Sequence, residues 1–157
     1  MARAEVSETI DGVTFYALPL GYLAQRALLV RLFKCLGPAL TEVLAGAPSL
    51  ESLKARMLGP GLFGLVEQLA RDVSDADLEW ATDQLCGSGG AHMRYSLNGD
   101  QRPKLDAAAR GELFDCRLDL YFRWIAFALG ANFGPYFRAL EQAGAAKAAQ
   151  EAKAPAP

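Results

Sequence analysis

The densest hydrophobic pattern in the chain lies between residues 112 and 140, in the stretch ELFDCRLDLYFRWIAFALGANFGPYFRAL. Its apolar residues recur every three or four positions, which is the spacing of one face of an α-helix. A second apolar row lies on nearly the opposite side and contains Leu120, Trp124 and Phe127. Because a helix with two apolar faces needs cover on both, it is predicted to lie in the centre of a domain or to have one face covered by a partner.

Glycine, asparagine and proline interrupt this pattern near its end. Asn132 could cap a new helix whose first turn contains Pro135. We therefore predict a helix to about Ala131, then a bend, and then a second helix to about Ala143.

The chain of 157 residues has the length of one domain, or of one domain with a tail. After Leu140 the sequence has no large apolar residue and ends in alternating alanine and proline. Such a segment cannot bury apolar surface. We predict a single, mostly helical domain over residues 1–143, followed by a flexible tail rich in alanine, lysine and proline over residues 144–157.

Near the N-terminus, two short runs rich in β-branched and aromatic residues flank Asp11-Gly12, over residues 5–10 and 13–18. An Asp-Gly pair between such runs is typical of a β-hairpin. A second small hairpin is predicted later in the chain, with a strand over residues 92–97 and a returning segment that contains Pro103. Proline restricts that returning segment to the edge of a sheet.

The remaining apolar segments predict helices. Residues 20–36 are apolar at almost every position that is not Gln, Arg or Lys, so this helix is expected to be buried on more than one side. Shorter helices are predicted at four further places, which are residues 39–44, 50–58, 62–70 and 75–86, the last capped by Ser74. The fold class is therefore predicted to be mainly α, a compact helical domain with short hairpins, and α+β at most.

Charge and composition limit the classes of function that the chain could have. The net charge of −2 and the absence of a basic block argue against a nucleic-acid partner. Arg117, Asp119 and Arg123 interrupt the longest apolar stretch, so it is not predicted to span a membrane. The first residues have no apolar signal segment, and we expect the protein in the cytoplasm. The hydrophobic fraction of 52% is ample for a core and favours a partner or self-association.

The sequence offers little chemistry for catalysis. The one histidine, His92, lies near Cys86, but no second ligand pair follows at zinc-like spacing. Cys35, Cys86 and Cys116 are expected to be reduced, buried thiols. The glycine-rich loop at residues 87–90 lacks the Lys-Ser/Thr that follows a phosphate-binding loop. We predict no catalytic residues, no metal and no cofactor, and therefore a protein that is not an enzyme.

A partner-binding role is the remaining prediction. Tryptophan and tyrosine are enriched at the energetic centres of interfaces. The simpler interpretation places most of the aromatic side chains of the long stretch in the core. The side chains predicted to contact a partner are Leu120, Trp124, Phe127, Phe133, Tyr136 and Phe137.

Three segments carry a resemblance to a known family. They are IDGVTFYALPL near the N-terminus, KCLGP after the first long helix, and ALGANFGPYF near the end of the long apolar stretch. In these segments and in its layout, from about Glu5 to Leu140, the chain resembles the tail assembly chaperones of tailed bacteriophages and prophages. None of the three is a catalytic motif.

The resemblance implies a small helical protein that binds and solubilises the tape measure protein, through its amphipathic helices, during virion assembly. It also implies the cytoplasm of a bacterial host, absence from the mature virion, and a frameshift-extended form of the same chain as a further partner. A homo-oligomer is an additional expectation. Two alternatives stay open, a phage tail structural or completion subunit and a small helical bacterial adaptor protein.

Overall fold

A computed structural model describes residues 3–32, 34, 71 and 73–153. In chain order, the elements are β1 (Val6–Ile10), β2 (Val13–Ala17), α1 (residues 22–32, with residue 34 also helical), α2 (Asp75–Cys86), a 3₁₀ turn (Ser88–Gly90), β3 (Met93–Ser96), α3 (Ala107–Phe114) and α4 (Leu118–Lys153). The fold is mainly helical with a small antiparallel sheet, as predicted. The helices predicted over residues 39–44, 50–58 and 62–70 lie outside the described residues, as does Cys35.

The N-terminal hairpin has the predicted position. Asp11 and Gly12 both have positive φ, 48° and 80°. This is the backbone conformation of the two-residue hairpin turn whose twist matches that of the flanking strands. Ile10 pairs with Val13, and the hydroxyls of Thr9 and Thr14 are 2.9 Å apart across the strands. Side chains of β2 alternate between buried and half-buried, so one face of the strand lies on the core.

The strand β3 completes a sheet of order β1-β2-β3, all antiparallel. The predicted return after β3 forms a single bridge, between Arg94 and Lys104, rather than a strand. The Tyr95 N–H donates to the Pro103 carbonyl at 3.1 Å, and the Leu105 N–H donates to the Met93 carbonyl at 2.9 Å. Because proline has no N–H, Pro103 cannot return a hydrogen bond to the Tyr95 carbonyl, and the pairing with β3 stays limited to this bridge.

The helix α4 is one continuous element of 36 residues, with Pro135 inside it. The prediction of two helices separated by a bend is therefore wrong. The Asn132 side chain donates to the Ala128 carbonyl one turn earlier, so it lies inside the helix and caps no new one. The helix also passes the predicted end at Ala143, because the alanine-rich sequence beyond it has high helix propensity. The flexibility of residues 144–157 stays a prediction.

The core lies between the sheet and the first half of α4. The rings of Phe15, Phe114, Tyr121 and Trp124 form one cluster, in which the centre of the Phe114 ring is 5.4 Å from that of Tyr121 and 5.5 Å from that of Trp124. The largest fully buried side chains are Trp124, Phe15, Leu28, Leu85, Met93, Leu105, Leu120, Val13 and Cys86. The long apolar stretch recognised in the sequence is therefore the centre of the domain.

Candidate partner-binding surface

The second apolar row of α4 faces the core. Leu120 and Trp124 are fully buried, Phe127 is 4% exposed and Phe133 is 5% exposed. Leu120 and Trp124 therefore follow the simpler interpretation and lie in the core. Phe127 lines a surface pocket beside β1, and a partner-binding role for Phe127 and Phe133 stays a prediction. The second apolar row is covered by elements of its own chain, whereas Leu118 and Tyr136 of the first row are exposed.

The last two predicted contacts lie further along the same helix. Tyr136 is 41% exposed and therefore accessible. The side chain of Phe137 lies outside the described part of the structure. A partner-binding role for these two residues stays a prediction.

Among the described residues, the two most exposed large apolar side chains lie on α1. Tyr22 is 71% exposed, Leu23 69% and Val30 49%, and Ala27 is exposed between them. With successive residues 100° apart, these positions fall within one sector of about 140° of the helix surface. We call this sector the outer face of α1, and it consists of Tyr22, Leu23, Arg26, Ala27, Val30 and Lys34.

The first turn of α1 is attached to α4 through Asn132. The Leu20 N–H, just before the helix, donates to Asn132 Oδ1 at 2.8 Å, and Gln25 Nε2 donates to the Asn132 carbonyl at 3.1 Å. Leu28, on the inner side of α1, is fully buried. These contacts fix which side of α1 lies on the core, and so they direct the outer face away from it.

The last turn of α1 is attached to α2 through Arg31. Its guanidinium donates to Asp77 Oδ1 at 2.7 and 3.0 Å and lies 4.2 Å from the centre of the Trp80 ring. An ion pair combined with a ring contact holds the guanidinium in one position. Because α1 is attached to α4 at one end and to α2 at the other, its outer face has a fixed position relative to both helices.

The sequence predicted that this helix is buried on more than one side, whereas α1 buries one side and exposes the other. The sequence signal that bears on the outer face is the scatter of Gln25, Arg26, Arg31 and Lys34 around an otherwise apolar helix. The pattern has more apolar positions than one buried face needs. Such an excess is compatible with burial or with a docking surface, and periodicity does not separate the two.

The outer face is also positively charged. Arg26 and Lys34 are exposed on it, and the Arg26 guanidinium lies 5.8 Å from the centre of the Tyr22 ring. The sequence contains no Asp or Glu between Leu20 and Lys34. The surface therefore combines apolar side chains with cations, although the whole chain has a net charge of −2.

A second concave region lies beside the glycine-rich loop. This cleft of about 470 Å³ is lined by Asp83, Gln84, Gly87, Ser88, Gly89, Gly90, Asp106, Ala107 and Arg110. Arg110 forms an ion pair with Asp83, and Asp106 caps α3 by accepting from the Ala109 N–H at 2.9 Å. The charged groups in this cleft are thus engaged in holding α2 and α3 together.

Cys86 and His92, the two possible metal ligands in the sequence, lie next to each other, and the His92 N–H donates to the Cys86 carbonyl at 2.8 Å. Burial raises the pKa of the Cys86 thiol, so it stays protonated at neutral pH, and the Nδ1 atom of His92 is buried without a hydrogen-bond partner. Within residues 3–32, 34, 71 and 73–153, no three His, Cys, Asp or Glu side chains are grouped so that they could hold a metal ion. The helices described in those ranges are also too short or too polar to cross a membrane.

Comparisons of this chain with protein-family models, with curated proteins and with solved structures find no match.

Proposed function

We propose that this protein is a phage tail assembly chaperone, which binds and solubilises the tape measure protein during tail morphogenesis and performs no catalysis. The resemblance of its sequence to that family motivates the proposal. The single observation that carries it is the outer face of α1, where Tyr22, Leu23 and Val30 are exposed side by side.

An exposed apolar cluster on a rigid helix suits the binding of another helix. Contiguous exposed apolar side chains mark interaction surfaces in soluble proteins. A long helical client has apolar stripes of its own, and laying such a stripe against α1 covers both surfaces at once. Because the contact is apolar and small, the affinity is moderate, and assembly of the tail tube can displace the chaperone without a nucleotide.

The experiment is co-expression of the tagged chain with the tape measure protein that is proposed as its client. The expected result is that the client becomes soluble and co-elutes with the tagged chain. The variants Leu23→Asp and Val30→Asp place a charge on the outer face and should abolish co-elution. Leu118→Asp is the matched control, since Leu118 is similarly exposed at 62% but lies at the start of α4.

Two outcomes would contradict the proposal. A client that stays insoluble with both the wild-type chain and its frameshift-extended form would exclude the chaperone role. Detection of the chain in purified virions by mass spectrometry would favour a tail structural or completion subunit instead. Circular dichroism of each variant separates loss of binding from loss of folding.

A further inference from the structure

The geometry and charge of α1 define the chemistry of the helix that binds it. We infer that the outer face recognises an acidic amphipathic helix, whose apolar side chain seats over Ala27 and whose carboxylates pair with Arg26 and Lys34. This inference rests on the proposed function and specifies the client segment that the chaperone takes.

Four residues of the outer face have the spacing of a socket for one side chain. Leu23, Arg26, Ala27 and Val30 are at positions i, i+3, i+4 and i+7, which is the set that surrounds a single knob in knobs-into-holes packing. Ala27 is the smallest of the four and forms the floor, while Leu23 and Val30 form apolar walls at either end. A leucine-sized side chain of the partner helix fits such a socket.

The cations beside the socket determine which charged residues of the partner helix can flank its seated side chain. Of the three cations on α1, Arg31 is engaged by Asp77 and Trp80, whereas Arg26 and Lys34 are exposed on the outer face itself. No carboxylate of α1 offsets them. In coiled coils, charged residues beside the apolar seam choose the partner in this way, and lysines opposite Arg26 and Lys34 would be repelled.

An anionic membrane is the other surface that a basic, apolar helix could bind. Sequence segments that bind anionic lipid have clusters of about four to eight Lys or Arg residues. The outer face has two, and the chain as a whole is negatively charged. A lipid bilayer is fluid and has no fixed side chain to fill a socket with a small residue at its floor. The observations therefore favour a helix as the partner.

The test uses two synthetic amphipathic peptides of about three heptads with the same leucine stripe, one flanked by Glu and the other by Lys. Fluorescence anisotropy measures the affinity of each for the full chain. The expected result is that the Glu peptide binds roughly fivefold more tightly, which is what two exposed ion pairs provide. This preference should shrink at high salt, since exposed charges are screened.

Charge reversal provides the decisive variant. The double variant Arg26→Glu, Lys34→Glu should reverse the preference and select the Lys peptide. The matched control reverses two exposed cations at the edge of the sheet, Arg94→Glu with Lys104→Glu, and should keep the wild-type preference although its net charge changes equally. The Leu23→Asp variant should lose both peptides, since it removes a wall of the socket.

The outcomes separate this inference from the proposed function. Equal binding of both peptides, abolished by Leu23→Asp, would overturn the acidic preference and leave helix binding intact. Binding of neither peptide, together with a client that the chain does not solubilise, would overturn both. Association of the chain with phosphatidylserine-containing vesicles that depends on Arg26 and Lys34, or self-association that Leu23→Asp abolishes, would replace the inferred partner by a membrane or by a second copy.

Discussion

The buried side chain of Asn132 accepts the backbone N–H of Leu20 at 2.8 Å, across 112 positions of the sequence. The same side chain donates to the Ala128 carbonyl at 2.8 Å, so both ends of its amide are satisfied. One polar residue in the middle of α4 therefore sets where α1 begins and how it lies on the core. The orientation of the outer face depends on this contact.

Replacing Asn132 by alanine should destabilise the protein by about 1–3 kcal/mol, because the Leu20 N–H would stay buried without an acceptor. Urea denaturation followed by circular dichroism measures the change in the free energy of unfolding. Gln142→Ala is the control on the same helix, since Gln142 is exposed, and its effect should be within about 0.5 kcal/mol of zero. Equal stability of the Asn132→Ala and Gln142→Ala proteins would show that the buried contact contributes nothing.

Asn132 also shows where prediction from the sequence reaches its limit. Its position before a proline predicted a helix cap, which is a local role. In the structure its Oδ1 serves a residue more than a hundred positions away, and no local pattern contains that information. For the same reason the pairing of β3 with β2 was not predictable, because the two strands are far apart in the sequence.

Turns and helix caps, which depend on residues close together in the sequence, were predicted well. The Asp11-Gly12 turn predicted the N-terminal hairpin. Ser74 caps α2 by accepting the Asp77 N–H at 3.2 Å, and that helix has the predicted bounds. The candidate surface was harder to predict from the sequence, because periodicity shows that a helix is apolar but not which of its faces the rest of the chain covers. The predicted partner contacts therefore lie on α4, where Leu120 and Trp124 are fully buried, rather than on α1.

The burial of Trp124 leads to a second prediction. Trp124→Ala should cost about 3–5 kcal/mol of stability, since it removes a fully buried ring and leaves a cavity in the aromatic cluster. Trp124→Phe should cost less, because the indole N–H has no hydrogen-bond partner to lose. Chemical denaturation of the variants measures both effects. Leu118→Ala is the control on the exposed start of α4, and a Trp124→Ala protein as stable as that control would show that Trp124 is not part of the core.

The loop between α2 and β3 contains two adjacent glycines that differ in their surroundings. Gly89 and Gly90 both have positive φ, 58° and 72°, so alanine is strained at either position. A Cβ on Gly90 would lie 2.8 Å from the backbone nitrogen of Asp106, whereas a Cβ on Gly89 would meet nothing within 4 Å. Gly90→Ala should therefore destabilise the protein by about 1–3 kcal/mol more than Gly89→Ala does.

Thermal denaturation of the two glycine variants separates steric overlap from backbone strain. Equal loss in both would mean that the positive φ alone requires glycine, and that the loop can move away from α3. A larger loss for Gly90→Ala would mean that the loop is held against the start of α3, beside the Asp106 cap.

The buried thiol of Cys86 predicts how stability depends on pH. Burial raises the pKa of Cys86, although the guanidinium of Arg110 beside it acts in the opposite direction. In the unfolded chain the thiol loses its proton at lower pH, near its ordinary value of about 8.5. Above that pH the unfolded state binds fewer protons than the folded state, so the free energy of unfolding decreases as the pH rises. Burial raises the pKa of Tyr121 as well, which adds a decrease of the same sign at higher pH.

Urea denaturation between about pH 8 and about pH 10 tests this prediction. The wild-type protein should lose stability across this range, and Cys86→Ala should lose less because one of the responsible groups is gone. The prediction that the Cys116 thiol is buried is wrong, since it is exposed, and Cys116→Ala is therefore the matched control, which should keep the wild-type slope. If Cys86→Ala and the wild-type protein have the same slope, the alkaline loss of stability originates elsewhere, and the contact of Cys86 with Arg110 offsets the effect of burial on its thiol.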